Sequence, residues 1–143
     1  MNFEHSVVIN RPVEQVFTFT VTPANMPLWF VGAQEATQIE GTTMGVGAKV
    51  RAVGSLLGKR IETITTCTGY EANRALAYEM TQPFSQTMHY TFEAANGGTR
   101  LTIRAVAEPG GFFKLAMPVM AGAVRRNAET SLNNLKDILE SQA

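Results

Sequence analysis

Gln86-Thr87-Met88-His89-Tyr90-Thr91-Phe92-Glu93-Ala94-Ala95-Asn96-Gly97-Gly98-Thr99-Arg100-Leu101-Thr102-Ile103-Arg104-Ala105-Val106-Ala107-Glu108 is the stretch on which the fold turns. Met88, Tyr90 and Phe92 alternate with Thr87, His89, Thr91 and Glu93, and Leu101, Ile103 and Ala105 alternate with Thr102, Arg104 and Val106. A period of two marks a strand with one face on a core and the other in water. Between the runs, Asn96-Gly97-Gly98 accepts the positive φ of a tight turn, so the pattern predicts an antiparallel hairpin from strands 86–94 and 99–108.

Downstream, after Pro109-Gly110-Gly111, the period lengthens. Met117, Met120, Val124, Ala128, Leu132, Leu135 and Leu139 recur at spacings of three or four, which predicts a long helix with one apolar stripe, ending near Ser141. Pro118 is expected to kink this helix or to sit in its first turns. Upstream, strands are predicted at 34–40, 48–56, 59–70 and 75–82, with a tight turn at Leu57-Gly58 and looser ones at Ala72-Asn73-Arg74 and Pro83-Phe84. A first strand is expected at residues 3–9, broken by Asn10-Arg11-Pro12. Val13, Val16, Phe17 and Thr20 then follow helical spacing, with Pro12 and Glu14 suiting the start of a helix. Thr22-Pro23 ends it, and residues 23–30 form a second short helical segment that presents Met26, Trp29 and Phe30. The expected architecture is α+β: a seven-stranded curved antiparallel sheet wrapped around a long C-terminal helix, with two short helices between strands 1 and 2.

Composition agrees with one folded domain over residues 1–143. Hydrophobic types make up 45% of the 143 residues and charged types 17%, enough apolar surface to offset ordering entropy. Twelve basic residues balance twelve acidic ones, which argues against a nucleic-acid binder or a polybasic membrane anchor. The apolar stretch 112–124 is interrupted and shorter than the roughly 20 residues that span a bilayer. Cys67 is the single cysteine, and Met1-Asn2-Phe3-Glu4 lacks the basic-then-apolar pattern of a secretion signal, so a cytoplasmic location is expected.

Several stretches carry further information. Val7-Val8-Ile9-Asn10-Arg11-Pro12-Val13-Glu14-Gln15-Val16-Phe17, Met26-Pro27-Leu28-Trp29, Thr68-Gly69-Tyr70-Glu71, Arg74-Ala75-Leu76-Ala77-Tyr78 and Leu132-Asn133-Asn134-Leu135-Lys136-Asp137-Ile138-Leu139-Glu140 give nearly the whole chain a resemblance to a known superfamily. It resembles the helix-grip proteins, which include START lipid-transfer domains, plant pathogenesis-related proteins and polyketide cyclase/dehydratase-like proteins. The resemblance implies a cavity between sheet and C-terminal helix for apolar or aromatic molecules. It does not fix the function, since relatives bind, carry, cyclise or regulate.

Common catalytic signatures are missing. Gly45-Val46-Gly47 lacks the third glycine of a dinucleotide fingerprint, because position 50 is Val. Gly54-Ser55-Leu56-Leu57-Gly58-Lys59-Arg60 is one residue short of P-loop spacing and has no Ser or Thr after the lysine. No HExxH or GxSxG occurs, and no metal or cofactor is expected. His89 falls on the wet face of its strand, Arg51 and Arg104 are expected outside, and Cys67 reads as a buried thiol.

The favoured expectation is a small intracellular protein that binds a hydrophobic or aromatic molecule of the lipid, sterol or polyketide class. Its walls would come from Trp29, Phe30, Cys67, Tyr78, Met80, Met88, Tyr90, Phe92, Leu101, Met117, Met120 and Val124, with Tyr78 and Tyr90 inward as hydrogen-bonding groups and Trp29 as a lid on a loop. A second reading is a polyketide cyclase/dehydratase-like enzyme whose catalytic residues the sequence does not reveal. A third is an interaction or assembly protein, docking through the outer sheet or through Arg125-Arg126. A protein partner or a homodimer is left open.

Overall fold

A computed structural model of the protein describes residues 2–142 apart from Leu57, Pro83 and Pro109. The turn and break positions expected at those three residues lie outside the described residues. Seven strands form one sheet: β1 (Asn2–Ile9), β2 (Ala33–Glu40), β3 (Lys49–Leu56), β4 (Lys59–Glu71), β5 (Ala75–Gln82), β6 (Ser85–Ala95) and β7 (Gly98–Glu108). Their order is β1-β7-β6-β5-β4-β3-β2, and all neighbours are antiparallel. Between β1 and β2 run α1 (Val13–Val21), a 3₁₀ turn (Pro23–Asn25) and α2 (Met26–Trp29). The chain ends in α3 (Gly111–Ser141), which continues through Pro118 rather than breaking there.

The hairpin of β6 and β7 closes as its sequence demands. Asn96 has φ 50° and Gly97 φ 80°, the two left-handed residues of a tight hairpin turn, and Ala95 faces Gly98 across the ladder. Tyr90, Phe92, Leu101 and Ile103 are buried on the inner face, while Thr91, Glu93 and Arg104 are exposed on the outer one. Register shifts in β2 and between β4 and β5, at Ile64/Thr65 and Cys67/Gly69, mark bulges that bend these strands and add to the curvature.

Leu132, Leu135 and Leu139 of α3 are fully buried against Val7, Ile9, Leu101 and Ile103 of the sheet and Val16 and Phe17 of α1. Phe17 sets its ring edge-on to Phe92, with centroids 5.1 Å apart. The stripe weakens towards the start of α3: Met120 is buried, Met117 and Val124 are half-buried, and Leu115 and Val119 are exposed. The C-terminal end of α3 is tied to the end of β1. Arg11 donates to the carbonyls of Glu140 (2.7 Å) and Gln142, Lys136 Nζ to the Val8 carbonyl (2.6 Å), and the Asn10 N–H to Glu140 Oε2 (2.8 Å). Arg11 meets the negative end of the helix dipole and satisfies carbonyls that the helix leaves unpaired, while Lys136 ties the helix to β1. No helix among the described residues is long and apolar enough to cross a membrane.

Candidate functional site

The inner face of the sheet is unevenly filled. On the β1, β7 and β6 side, large side chains meet α1 and α3. Towards β3 and β4 the inward residues shrink to Val50, Ala52 and Thr65, too short to reach the segment that joins α1 to α2. A cavity of about 50 Å³ remains beneath that segment.

Its deep side is aromatic. Trp29, the last residue of α2, is 2% exposed, and Tyr90 on β6 is 5% exposed. Tyr78 on β5 stands edge-on to Tyr90, with centroids 5.6 Å apart, and Met88 completes this wall. Thr22, Pro23, Met26 and Met44 also line the space and are half-buried, so they form its rim. The lining contains no Asp, Glu, Lys, Arg or His among the described residues.

The polar groups here lack protein partners. Trp29 Nε1 is buried with no hydrogen-bond acceptor, the one such buried side-chain nitrogen or oxygen among the described residues. Neither the Tyr78 nor the Tyr90 hydroxyl has a protein hydrogen bond among them. Burial pushes the Tyr90 phenol up to about 12, and burial, followed by the neighbouring Tyr90, raises Tyr78 as well. Both therefore remain protonated at neutral pH.

Four residues expected from the sequence meet at this cavity: Trp29, Tyr78, Met88 and Tyr90. The structure does not bring the other eight to it. Phe92 and Leu101 are consumed by the core beneath α1 and α3, and Phe30 packs edge-on against Trp29 from outside, with centroids 5.5 Å apart. Cys67 is buried at a bulge of β4, its thiol donating to the Gly69 carbonyl (3.3 Å), and burial raises its pKa. Met80 is buried opposite Thr65 on the neighbouring strand and two residues from Tyr78, beside the lining but not part of it. Met117, Met120 and Val124 lie on α3, no described residue of which lines the cavity. Among the described residues, the space is thus roofed by the α1–α2 segment.

Trp29 also departs from the expected loop-borne lid. Its helical position and burial place it in the wall, with its carbonyl held by Asn134 Nδ2 of α3 (3.3 Å). The sequence reading missed Val50, Ala52, Thr65, Met44 and the rim residues. Met26 on the apolar face of its segment was the one signal that pointed there.

The remaining candidates lie elsewhere. His89 is exposed on the outer face opposite Arg104, and His5 is half-buried beside Phe3 on β1. Arg51 is on the outer face, gripping Glu62 through Nε (2.9 Å) and Nη2 (3.0 Å), with Glu35 at 3.4 Å. No group of three or more His, Cys, Asp or Glu among the described residues could hold a metal ion.

Solved structures with this arrangement are numerous and distant in sequence. TTHA0849 from Thermus thermophilus matches with a TM-score of 0.83 at 14% identity, over 97% of each chain. Ara h 8.0201 matches with 0.78 at 16% identity, over 99% of each chain. The di-domain ARO/CYC BexL of the BE-7585A biosynthetic pathway matches with 0.75 at 16% identity, the whole of the present chain covering 51% of that protein. At these identities the likeness concerns the fold. No curated protein matches the sequence. The family described as "Polyketide cyclase / dehydrase and lipid transport" does match it, over residues 1–140, and a chain that fits this family from end to end while carrying the helix-grip sheet and its long helix belongs to it.

Proposed function

We propose that this protein binds a hydrophobic or aromatic small molecule of the lipid, sterol or polyketide class, with one end of the ligand held by Trp29, Tyr78, Met88 and Tyr90. The observation that carries the reading is the aromatic cavity with unpartnered hydrogen-bonding groups, since a plain core leaves few such groups unsatisfied. The family description, which names polyketide cyclases and lipid transport, supports the ligand classes. At about 50 Å³ the space is well below the roughly 150 Å³ of an apolar void that takes up benzene, so a larger ligand passes out over Met26 and Met44 at the rim. A cytoplasmic site of action is in keeping with one buried, unpaired cysteine.

Binding is favoured over cyclase or dehydratase chemistry by the lining. It offers no carboxylate, imidazole or amine among the described residues, and its phenols are held in the protonated form, poor bases at neutral pH. Trp29 is the only tryptophan, so its emission reports on this wall alone. Titration with neutral N-phenyl-1-naphthylamine is expected to quench Trp29 emission, and sterols or aromatic polyketides that bind are expected to displace the dye. A screen of sterols, fatty-acid esters and aromatic polyketides that leaves both Trp29 emission and the melting temperature unchanged overturns the reading.

A further inference from the structure

Residues 115–124 of α3 read Leu-Ala-Met-Pro-Val-Met-Ala-Gly-Ala-Val, ten in a row without a charged or hydrogen-bonding side chain. A helix at a protein surface ordinarily keeps its outward side polar. Here the inward side holds buried Met120 and half-buried Met117 and Val124, yet Leu115 and Val119, one turn apart, are 84% and 83% exposed. They stand further into solvent than any other large apolar side chain among the described residues.

Cations bracket this segment. Lys114 precedes it and Arg125-Arg126 follow it, all three exposed and none in an ion pair or side-chain hydrogen bond among the described residues. Lys49, Arg51, Arg60 and Lys136, in contrast, each face a glutamate. No acidic residue occurs between Glu108 and Glu129, so a chain with no net charge concentrates unpaired positive charge here. Arg126 falls two turns after Val119 on the same side of the helix, and it lies back over Gly122, where a Cβ would come within 3.3 Å of its Nη1.

We propose that this half of α3 docks on an anionic lipid bilayer, with Leu115 and Val119 entering the headgroup boundary and Lys114, Arg125 and Arg126 meeting lipid phosphates. Ten residues of helix extend about 15 Å, half the thickness of the hydrocarbon layer, so the segment lies along the surface and does not cross it. Two apolar side chains on one helix fall far short of the roughly 800 Å² per partner that a stable protein interface covers. A bilayer accepts a shallow apolar wedge and pairs each cation singly. Three cations make the contact reversible, in keeping with a composition that lacks a polybasic anchor. The inference stands apart from the cavity and its ligand.

Co-sedimentation of the full chain with lipid vesicles tests it. The chain is expected to bind vesicles of phosphatidylcholine and phosphatidylglycerol in equal parts, to bind pure phosphatidylcholine weakly, and to dissociate as salt screens its cations. Leu115→Ser with Val119→Ser, and separately Arg125→Gln with Arg126→Gln, are each expected to lower the partition coefficient on the order of tenfold. All four side chains are exposed, so the melting temperature is expected to stay unchanged. Arg100→Gln removes an exposed cation from β7 and is expected to leave binding as it was. No sedimentation with the mixed vesicles, or wild-type sedimentation of both double variants, overturns the proposal. A dimer of the free chain that Leu115→Ser with Val119→Ser dissolves assigns this face to a second copy and overturns it too.

Discussion

Gly98 and Gly45 carry opposite predictions from one physical quantity, the room for a methyl group. A Cβ on Gly98 would strike the Ile9 carbonyl, where β7 begins against the end of β1, whereas one on Gly45 would meet nothing within 4 Å. Gly98→Ala is expected to cost about 1–3 kcal/mol of unfolding free energy and Gly45→Ala to leave stability unchanged or slightly raised, measured by urea denaturation. Equal midpoints for the two variants would show that the β1–β7 approach has slack. Leu135 is completely buried, and Leu135→Ala is expected to cost about 2–5 kcal/mol in the same measurement. At this scale much was readable in the sequence. The alternation around Tyr90 put its ring inside and His89 outside because neighbouring side chains of a strand must face opposite ways. Alternation cannot tell a residue that lines a void from one that plugs the core, so it groups Phe92 and Leu101 with Tyr90.

At the scale of elements, α3 both covers part of the sheet and holds the cavity roof in place. Its buried Ser131 accepts a hydrogen bond from the Val31 N–H (2.8 Å) and donates to the Asn127 carbonyl (2.6 Å), and Asn134 holds the Trp29 carbonyl. Ser131→Ala leaves the Val31 N–H without its partner and is expected to cost about 1–3 kcal/mol. Amide exchange at Val31 should quicken and Trp29 emission should change, and unchanged exchange at Val31 would mean that α2 is held by packing alone. The apolar stripe of α3 was legible because helical periodicity is a local property. Its polar contacts with Trp29 and Val31 were not, since they join residues about a hundred positions apart through single side chains.

Across the whole molecule, the two ends of the chain are fastened through Arg11, Lys136 and Glu140. The Lys136 ammonium, joined by the Asn10 N–H, holds the Glu140 carboxyl below the usual carboxylate range. A group with a lowered folded-state pKa contributes its full stability above its unfolded value and loses it as pH falls through the folded one. Thermal stability is therefore expected to decline on acidification below the ordinary carboxylate pKa of about 4.3, and Glu140→Gln to melt lower at pH 7 with a shallower acid decline. A decline parallel to the wild type would remove Glu140 from the linkage. The sequence by itself determined the strand and helix order, the inward faces and the hairpin of β6 and β7, because periodicity and turn chemistry act between near neighbours. Tertiary structure alone decided that small residues on β3 and β4 leave a void, that α1 and α2 roof it, and that Trp29 lies sealed in its wall. Those outcomes depend on how far each side chain reaches across the gap between packed layers, a distance no local pattern encodes.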